Sequence, residues 1–303
     1  MMNNLELSHK IKQAAIKALL YEVAVTPKPG LVDRNNNGSH DDMDIFTFID
    51  SALALEGYFF DCAKIVLENE NEDYHQVFLL LRDRGKRADL DMLSATRGIN
   101  THKGAIFSLG LLSAAAAYTY RNEKKFNYRM ICNYVSKLTE TIFDLDFQDR
   151  QAERNTSGLA YYHSHGITGI RGEVKLGLPT VANDAYPYLV QLINSGASLN
   201  DAAVNVLLKI IISCEDTNLL SRGGLKGIKY AKMMARKTID EGGILNKEGM
   251  LNLQKMDEEF IRRRLSPGGS ADLLSCTLML FFLNDSMNAD SNIDDYFDKY
   301  PSI

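Results

Sequence analysis

Apolar side chains recur every three or four residues over most of the chain, the spacing that gathers them on one face of an α-helix. Residues 5–25 align Ile11, Ala14, Ala15, Ala18 and Leu19 in this way, and Pro27, Pro29 and Gly30 end the pattern. Residues 43–67 repeat it through Phe46, Ile49, Leu53, Phe60 and Val66, and residues 74–84 form a shorter amphipathic piece. Residues 101–117 are apolar nearly all round, which assigns that helix to the middle of a domain. Further helices are predicted over 127–144, 185–194, 201–214, 222–241 and 270–283. No run of β-branched residues alternates with period two, and no repeat of fixed period occurs. The pattern predicts an all-α fold: a single compact multi-helix domain over residues 1–303 with a buried central helix, residues 284–303 being a peripheral acidic tail.

Composition narrows the functions open to such a fold. A net charge of −5 argues against a nonspecific nucleic-acid binder, so any anionic ligand must be held by local clusters. Cys62, Cys132, Cys214 and Cys276 form no C-x-x-C pair and sit in apolar stretches, which points to core packing in a reducing cytoplasm. Residues 1–12 lack the apolar region of a signal peptide. The longest uncharged run, 104–120, falls short of the roughly 20 residues that span a bilayer, so no membrane segment is expected.

The connectors between helices are denser in Gly, charge and amide or hydroxyl groups than turns require. In the first, Pro27 and Pro29 hold Lys28 extended, as a phosphate ligand would be held, and Asp33, His40, Asp41 and Asp42 offer donors for Mg²⁺. The plainer reading makes Asp41 or Asp42 the cap of a helix from Met43. In the second, Asn100 or Thr101 caps the apolar helix, leaving His102 and Lys103 in its first turn. The helix dipole disfavours cations there unless an anion neutralises them. In the third, Arg171 could fork onto a phosphate and Glu173 could act as a base or metal partner, against a flexible loop with an Arg–Glu pair. In the fourth, Glu215 and Asp216 follow an apolar helix whose C-terminal dipole opposes them, which calls for a cation. Arg222 with its two glycines resembles an anion cradle. In the fifth, Ser266 and Pro267 read as a helix start and Asp272 suits the first turn, but Gly268 and Gly269 exceed what a cap needs.

Taken in order, PKPGLVD (27–33), GSHDDM (38–43), GINTHKG (98–104), GIRGE (169–173), EDTNLLSRGG (215–224) and SPGGSADLL (266–274) resemble the triphosphoribosyl-dephospho-CoA synthases of citrate lyase and malonate decarboxylase systems. The resemblance implies a helical enzyme that transfers the triphosphoribosyl group of ATP to 3'-dephospho-CoA and releases adenine. Its product would pass to a holo-acyl-carrier-protein transferase, with the citrate system favoured. It further implies that Lys28, Asn100, Thr101, Lys103, Arg171, Asn218, Arg222, Gly268 and Gly269 bind nucleotide, and that Asp33, Asp41, Asp42, Glu215 and Asp216 supply the ligands of Mg²⁺. Glu173 or a member of that acidic set would be the base, and His40 and His102 the candidate donors to the leaving adenine. Long apolar helices are compatible with a homodimer. Two other readings remain: a metal-dependent phosphohydrolase using His40, Asp41, His163 and His165, and a helical interaction scaffold, which would have bland loops.

Overall fold

The computed structural model describes residues 2–69, 73–140 and 167–288, and every regular element among them is helical. Helix α1 (Asn4–Ala24) starts where the Asn3 side chain accepts the Glu6 amide at 2.9 Å. The single helix expected over 43–67 is two, α2 (Ile45–Ala54) and α3 (Glu56–Glu68), hinged at the fully buried Leu55. Asp44 caps α2 in a reciprocal box with Thr47, so neither Asp41 nor Asp42 does so. Helix α4 (Tyr74–Ala95) continues well past Arg84 because Ala88 and Met92 prolong its buried stripe. Helices α5 (Lys103–Glu123) and α6 (Tyr128–Thr139) follow, then α7 (Gly169–Lys175), a π-helical turn (Thr180–Ala185) and α8 (Tyr186–Asn194). The rest comprises α9 (Leu199–Ser213), α10 (Thr217–Asp240), a 3-10 turn (Gly243–Leu245), α11 (Lys247–Arg262) and α12 (Gly268–Asn288). Residues 289–303 of the expected tail, and the stretch carrying His163 and His165, lie outside the described residues.

Helix α5 is the buried helix that its all-round apolar sequence predicts, packed against α3, α6 and α12. Its Ala114–Ala117 run brings backbones close, and Gly110 leaves room for Tyr58, whose hydroxyl donates to the Ile106 carbonyl at 3.0 Å. Helix α12 is buried from Leu273 to Leu283 and packs on α1. One continuous apolar cluster runs from α1 to α12. All four cysteines are free and buried, and burial pushes the Cys62 thiol up to about 12, as core residues rather than reactive thiols. No helix among the described residues is long and apolar enough to cross a membrane.

Candidate active site

The core helices bring three of the predicted connectors to one place. Asp216 caps α10 by accepting the amides of Asn218 and Leu219 at 2.9 and 3.0 Å. Its other oxygen accepts the amide and hydroxyl of Ser270, in the first turn of α12, at 2.7 and 2.8 Å. One carboxylate therefore ties two helix starts. Two turns of sequence reasoning change here. Asp216 does not need a cation to relieve a helix C-terminus, because it faces a helix N-terminus instead. Gly268 and Gly269 are required by close packing: a Cβ on Gly268 would lie 2.4 Å from Asn218 Nδ2, and one on Gly269 3.2 Å from Asp216 Cγ. Asp272 reaches the start of α5, where it accepts from the Ala105 amide, and a Cβ on Gly104 would lie 2.0 Å from its Oδ2. Burial raises the carboxyl pKa of Asp216, and burial followed by the charges of Asp216 and Glu22 raises that of Asp272 well above the usual range.

The connector after α1 is organised inward. Lys28 is 1% exposed and forms a short ion pair with Glu22 of α1. Burial raises the Glu22 carboxyl although Lys28 opposes the shift. Asp33 accepts the Thr26 hydroxyl at 2.7 Å and the amides of Lys28, Asn35 and Asn36 at 2.7–3.0 Å. These bonds make Asp33 the organiser of the loop. Asp257 of α11 braces it from outside, accepting the Gly30 amide at 2.9 Å and the Asn36 side chain at 3.2 Å.

His102 occupies the position before α5 and is 3% exposed. The Thr101 hydroxyl donates to Ser51 Oγ at 2.7 Å, and Ser51 Oγ lies 2.7 Å from His102 Nδ1. The Ser51 oxygen could accept from both neighbours, but its own proton finds an acceptor in Nδ1, which favours the tautomer with hydrogen on Nε2. That Nε2 is buried without a partner. Burial, followed by the nearby charge of Lys28, lowers the His102 pKa to about 3, so the ring is a neutral donor. Thr101 is thus committed to Ser51 and not to capping, and Asn100 makes only a long 3.4 Å contact with the Lys103 amide.

His40 is held in a second polar group. Its Nε2 lies 3.0 Å from Ser266 Oγ and its Nδ1 3.3 Å from an Arg222 nitrogen, and burial, then Arg222, lowers its pKa. Arg222 also donates to the Ser39 carbonyl at 3.1 Å. It lies inside α10, two residues before a break at Gly224 (φ 59°), and not at a helix start. Asp41 pairs with Arg264 at 2.6 Å, while Asp42 and Glu215 are exposed. Among the described residues no three His, Cys, Asp or Glu side chains gather as a metal-holding group.

A cavity of about 360 Å³ opens between α4, α5, α7 and the start of α10, and Lys103, Gly104, Arg171 and Thr217 share its wall. The segment read as a loop around Arg171 is the short helix α7, packed so tightly on α10 that a Cβ on Gly169 would lie 2.6 Å from Thr217 Cγ2. Glu173 of α7 accepts the Thr180 amide at 3.1 Å and hydroxyl at 2.6 Å, and burial raises its pKa. Lys103, Arg171, Asn218, Asp216, Gly268 and Gly269 are thereby joined through shared contacts, and Lys28 lies close to His102. His40, Arg222 and Asp41 form the separate group around Ser266 and Arg264. Sequence reasoning missed Glu22, Ser51 and Asp257, and gave Asp272 only a place in a helix turn.

Among the described residues the scaffold is all-helical, and the starts of α5 and α10 meet Lys103 and Arg171 at one cavity, an arrangement that suits an anionic substrate. The chain belongs to the CitG family, ATP:dephospho-CoA triphosphoribosyl transferase, which it matches over residues 8–291. It is 37% identical over 280 residues to the 2-(5''-triphosphoribosyl)-3'-dephosphocoenzyme-A synthase of Klebsiella pneumoniae, covering 90% of each chain. The synthase of Escherichia fergusonii is 38% identical over 265 residues, 87% of this chain and 88% of that one. Protein CitXG of Leuconostoc mesenteroides subsp. cremoris is 39% identical over 283 residues, 92% of this chain but 60% of the longer protein. No solved structure matches the chain. The protein is accordingly a transferase that moves triphosphoribosyl from ATP to dephospho-CoA, in place of the phosphohydrolase alternative.

Proposed function

We propose that the starts of α5, α10 and α12 form the donor site, with the triphosphate of ATP held by Lys103, Arg171, the Asn218 side chain and the amides of Gly104, Gly268 and Gly269. The observation carrying this reading is the double tie through Asp216 and Asp272, which draws the three helix starts together beside the cationic wall of the cavity. Helix N-termini supply amide donors and positive potential to an anion. The reaction breaks the bond from C1 of the ribose to adenine and joins C1 to an acceptor hydroxyl, so the phosphates need anchoring without activation. Positive charge develops on the sugar as in glycoside cleavage, and one group must donate to the departing base. Asp272, whose proton is held more tightly than usual, and the neutral Nε2–H of His102 are the donors proposed for adenine. Glu173 is the proposed base toward the acceptor hydroxyl. His40 orients Arg222, and Lys28 balances the buried Glu22.

Mg²⁺ is proposed to enter with ATP. This ion usually takes one or two carboxylates along with phosphate and water oxygens. Asp33 and Asp216 spend their oxygens on hydrogen bonds and Asp41 and Asp42 sit with the His40 group, which leaves the exposed Glu215, next to Asp216, as the better-suited ligand in the acidic set. Bound there, the ion would neutralise phosphate charge. The product would serve as precursor of the citrate lyase prosthetic group, passed on to a holo-acyl-carrier-protein transferase in the cytoplasm. Incubation with ATP, Mg²⁺ and dephospho-CoA should yield free adenine and the conjugate by mass. Lys103→Ala should raise the KM for ATP or abolish turnover with unchanged thermal unfolding, and a fully active variant removes Lys103 from the site.

A further inference from the structure

We infer that the cavity along α4 is the acceptor subsite, which takes the pyrophosphate and pantetheine arm of dephospho-CoA. The inference rests on the donor-site reading above, because the acceptor hydroxyl must meet the ribose of ATP at the Lys103–Gly104 end of this cavity. Three features of the cavity bear on its occupant.

The first is length. Phe78, Leu81, Arg82, Gly85, Lys86 and Asp89 all line it, a stripe along one face of α4. At 1.5 Å per residue, Phe78 to Asp89 spans about 16 Å, which suits an extended ligand and exceeds a purine base. The second is polarity. Phe78, Leu81 and Leu111 are almost fully buried and make an apolar floor, while Arg82, Lys86, Lys103 and Arg171 bring cationic groups to the same space. The third is order. Asp89 lies nearest the donor end, within reach of the Lys103 charge; Lys86 and Arg82 come next; Leu81 and Phe78 come last. Dephospho-CoA carries its parts in the same succession: ribose hydroxyls, then a pyrophosphate, then the largely apolar pantetheine arm. A carboxylate beside hydroxyls, cations beside phosphates and an apolar floor beside the arm are complementary at each step. The donor nucleotide lacks a third segment that would fill the Phe78 end.

Lys86 is exposed and Gly85 sits mid-helix, where a Cβ would meet only the Tyr58 hydroxyl at 3.4 Å, so both positions tolerate substitution. Lys86→Ala should raise the KM for dephospho-CoA about tenfold, the loss of one charge-assisted hydrogen bond, and leave the KM for ATP within twofold. Gly85→Leu, which narrows the passage from the cationic stretch to the Leu81–Phe78 end, should erase the preference for dephospho-CoA over ADP, an acceptor that keeps the ribose and pyrophosphate but has no arm. A raised KM for ATP alone, equal rises for both substrates, or no change in either overturns the subsite. Calorimetric titration with dephospho-CoA reads it without turnover, and undiminished binding to both variants overturns it as well. Failure of the unsubstituted protein to release adenine would instead count against the donor-site reading, before any variant is compared.

Discussion

Asp216→Ala tests the tie between the starts of α10 and α12. The substitution removes the cap of α10, which costs about 0.5–2 kcal/mol. It also strands the amides of Leu219 and Ser270, whose bonds to Asp216 are buried, at about 1–3 kcal/mol each. Two circumstances soften the loss. The Asn218 amide is only part-buried and rehydrates, and the Ser270 hydroxyl keeps Cys214 Sγ at 3.4 Å. Burial has also raised the Asp216 carboxyl, so its ionised form carries a desolvation cost that alanine relieves. The balance is a destabilisation of about 3 kcal/mol. Urea unfolding followed by helical circular dichroism measures it, provided that the denaturant slopes of parent and variant agree. Asp216→Asn keeps one acceptor oxygen but opposes the remaining donors with an amide, and should lose about half as much. An alanine variant within about 0.5 kcal/mol of the parent would refute the reasoning. The importance of Asp216 would then lie with substrate or metal, as its sequence context first implied, and a weakened Mg²⁺ dependence in Asp216→Asn would be the corresponding signature.

Two further outcomes follow from the same contacts. Gly104→Ala drives a Cβ to 2.0 Å from Asp272 Oδ2, which should cost about 1–3 kcal/mol in thermal unfolding and abolish adenine release; a variant of parental stability would mean that Asp272 has other room. His102 has a folded pKa lowered to about 3 from an ordinary 6.5, so the unfolded chain takes up this proton first as pH falls. Its contribution is therefore fully present above about 6.5 and is lost as pH falls toward 3, whereas the raised carboxyls of Glu22, Asp216 and Asp272 act with the opposite sign. His102→Asn should remove this slope, so that the parent loses stability relative to the variant as pH falls through that window, and parallel profiles would refute the assignment of a buried neutral ring.

Most helices were legible because their apolar spacing is strong, and the all-round apolar character of residues 104–117 located the central helix outright. Two were missed for physical reasons. In α11 the buried Leu253, Met256 and Phe260 are thinly spread among charged residues, so the polar face outweighs the stripe. In α7 Gly169 and Gly172 read as a loop, although both are there because Thr217 and Thr168 leave no space for a Cβ. The connectors were legible as unusual, but the duties of their residues were not. A carboxylate that binds four backbone or hydroxyl donors, as Asp33 and Asp216 do, has the same sequence signature as one that binds a cation. Only the folded chain distinguishes them. Glu22 and Ser51 had no local signal at all, since each is a polar residue on the buried side of an amphipathic helix and acquires meaning from Lys28 and His102 across the fold.

The distribution of charge also bears on why this family's chemistry and phosphoryl transfer ask different things of a site. When the γ-phosphate is the reacting group, positive groups must concentrate on the phosphates, because charge spreads over them in the transition state. When the reacting bond joins ribose to adenine, the triphosphate is only a handle, and the sugar becomes the electron-poor centre. Here Lys103, Arg171 and the starts of α5 and α10 line the cavity wall, whereas Asp216 and Glu22 lie close enough to Asp272 to add to burial in raising its hold on a proton. In the donor site proposed above, such a group beside the ribose would serve twice, an ionised member stabilising the sugar cation and a protonated one donating to the departing base. Removing Glu22 should therefore lower the pKa of Asp272. Because Asp272 must be protonated to donate, Glu22→Gln is expected to shift the alkaline limb of the adenine-release profile to lower pH, and a limb that stays in place would separate Glu22 from the reacting centre.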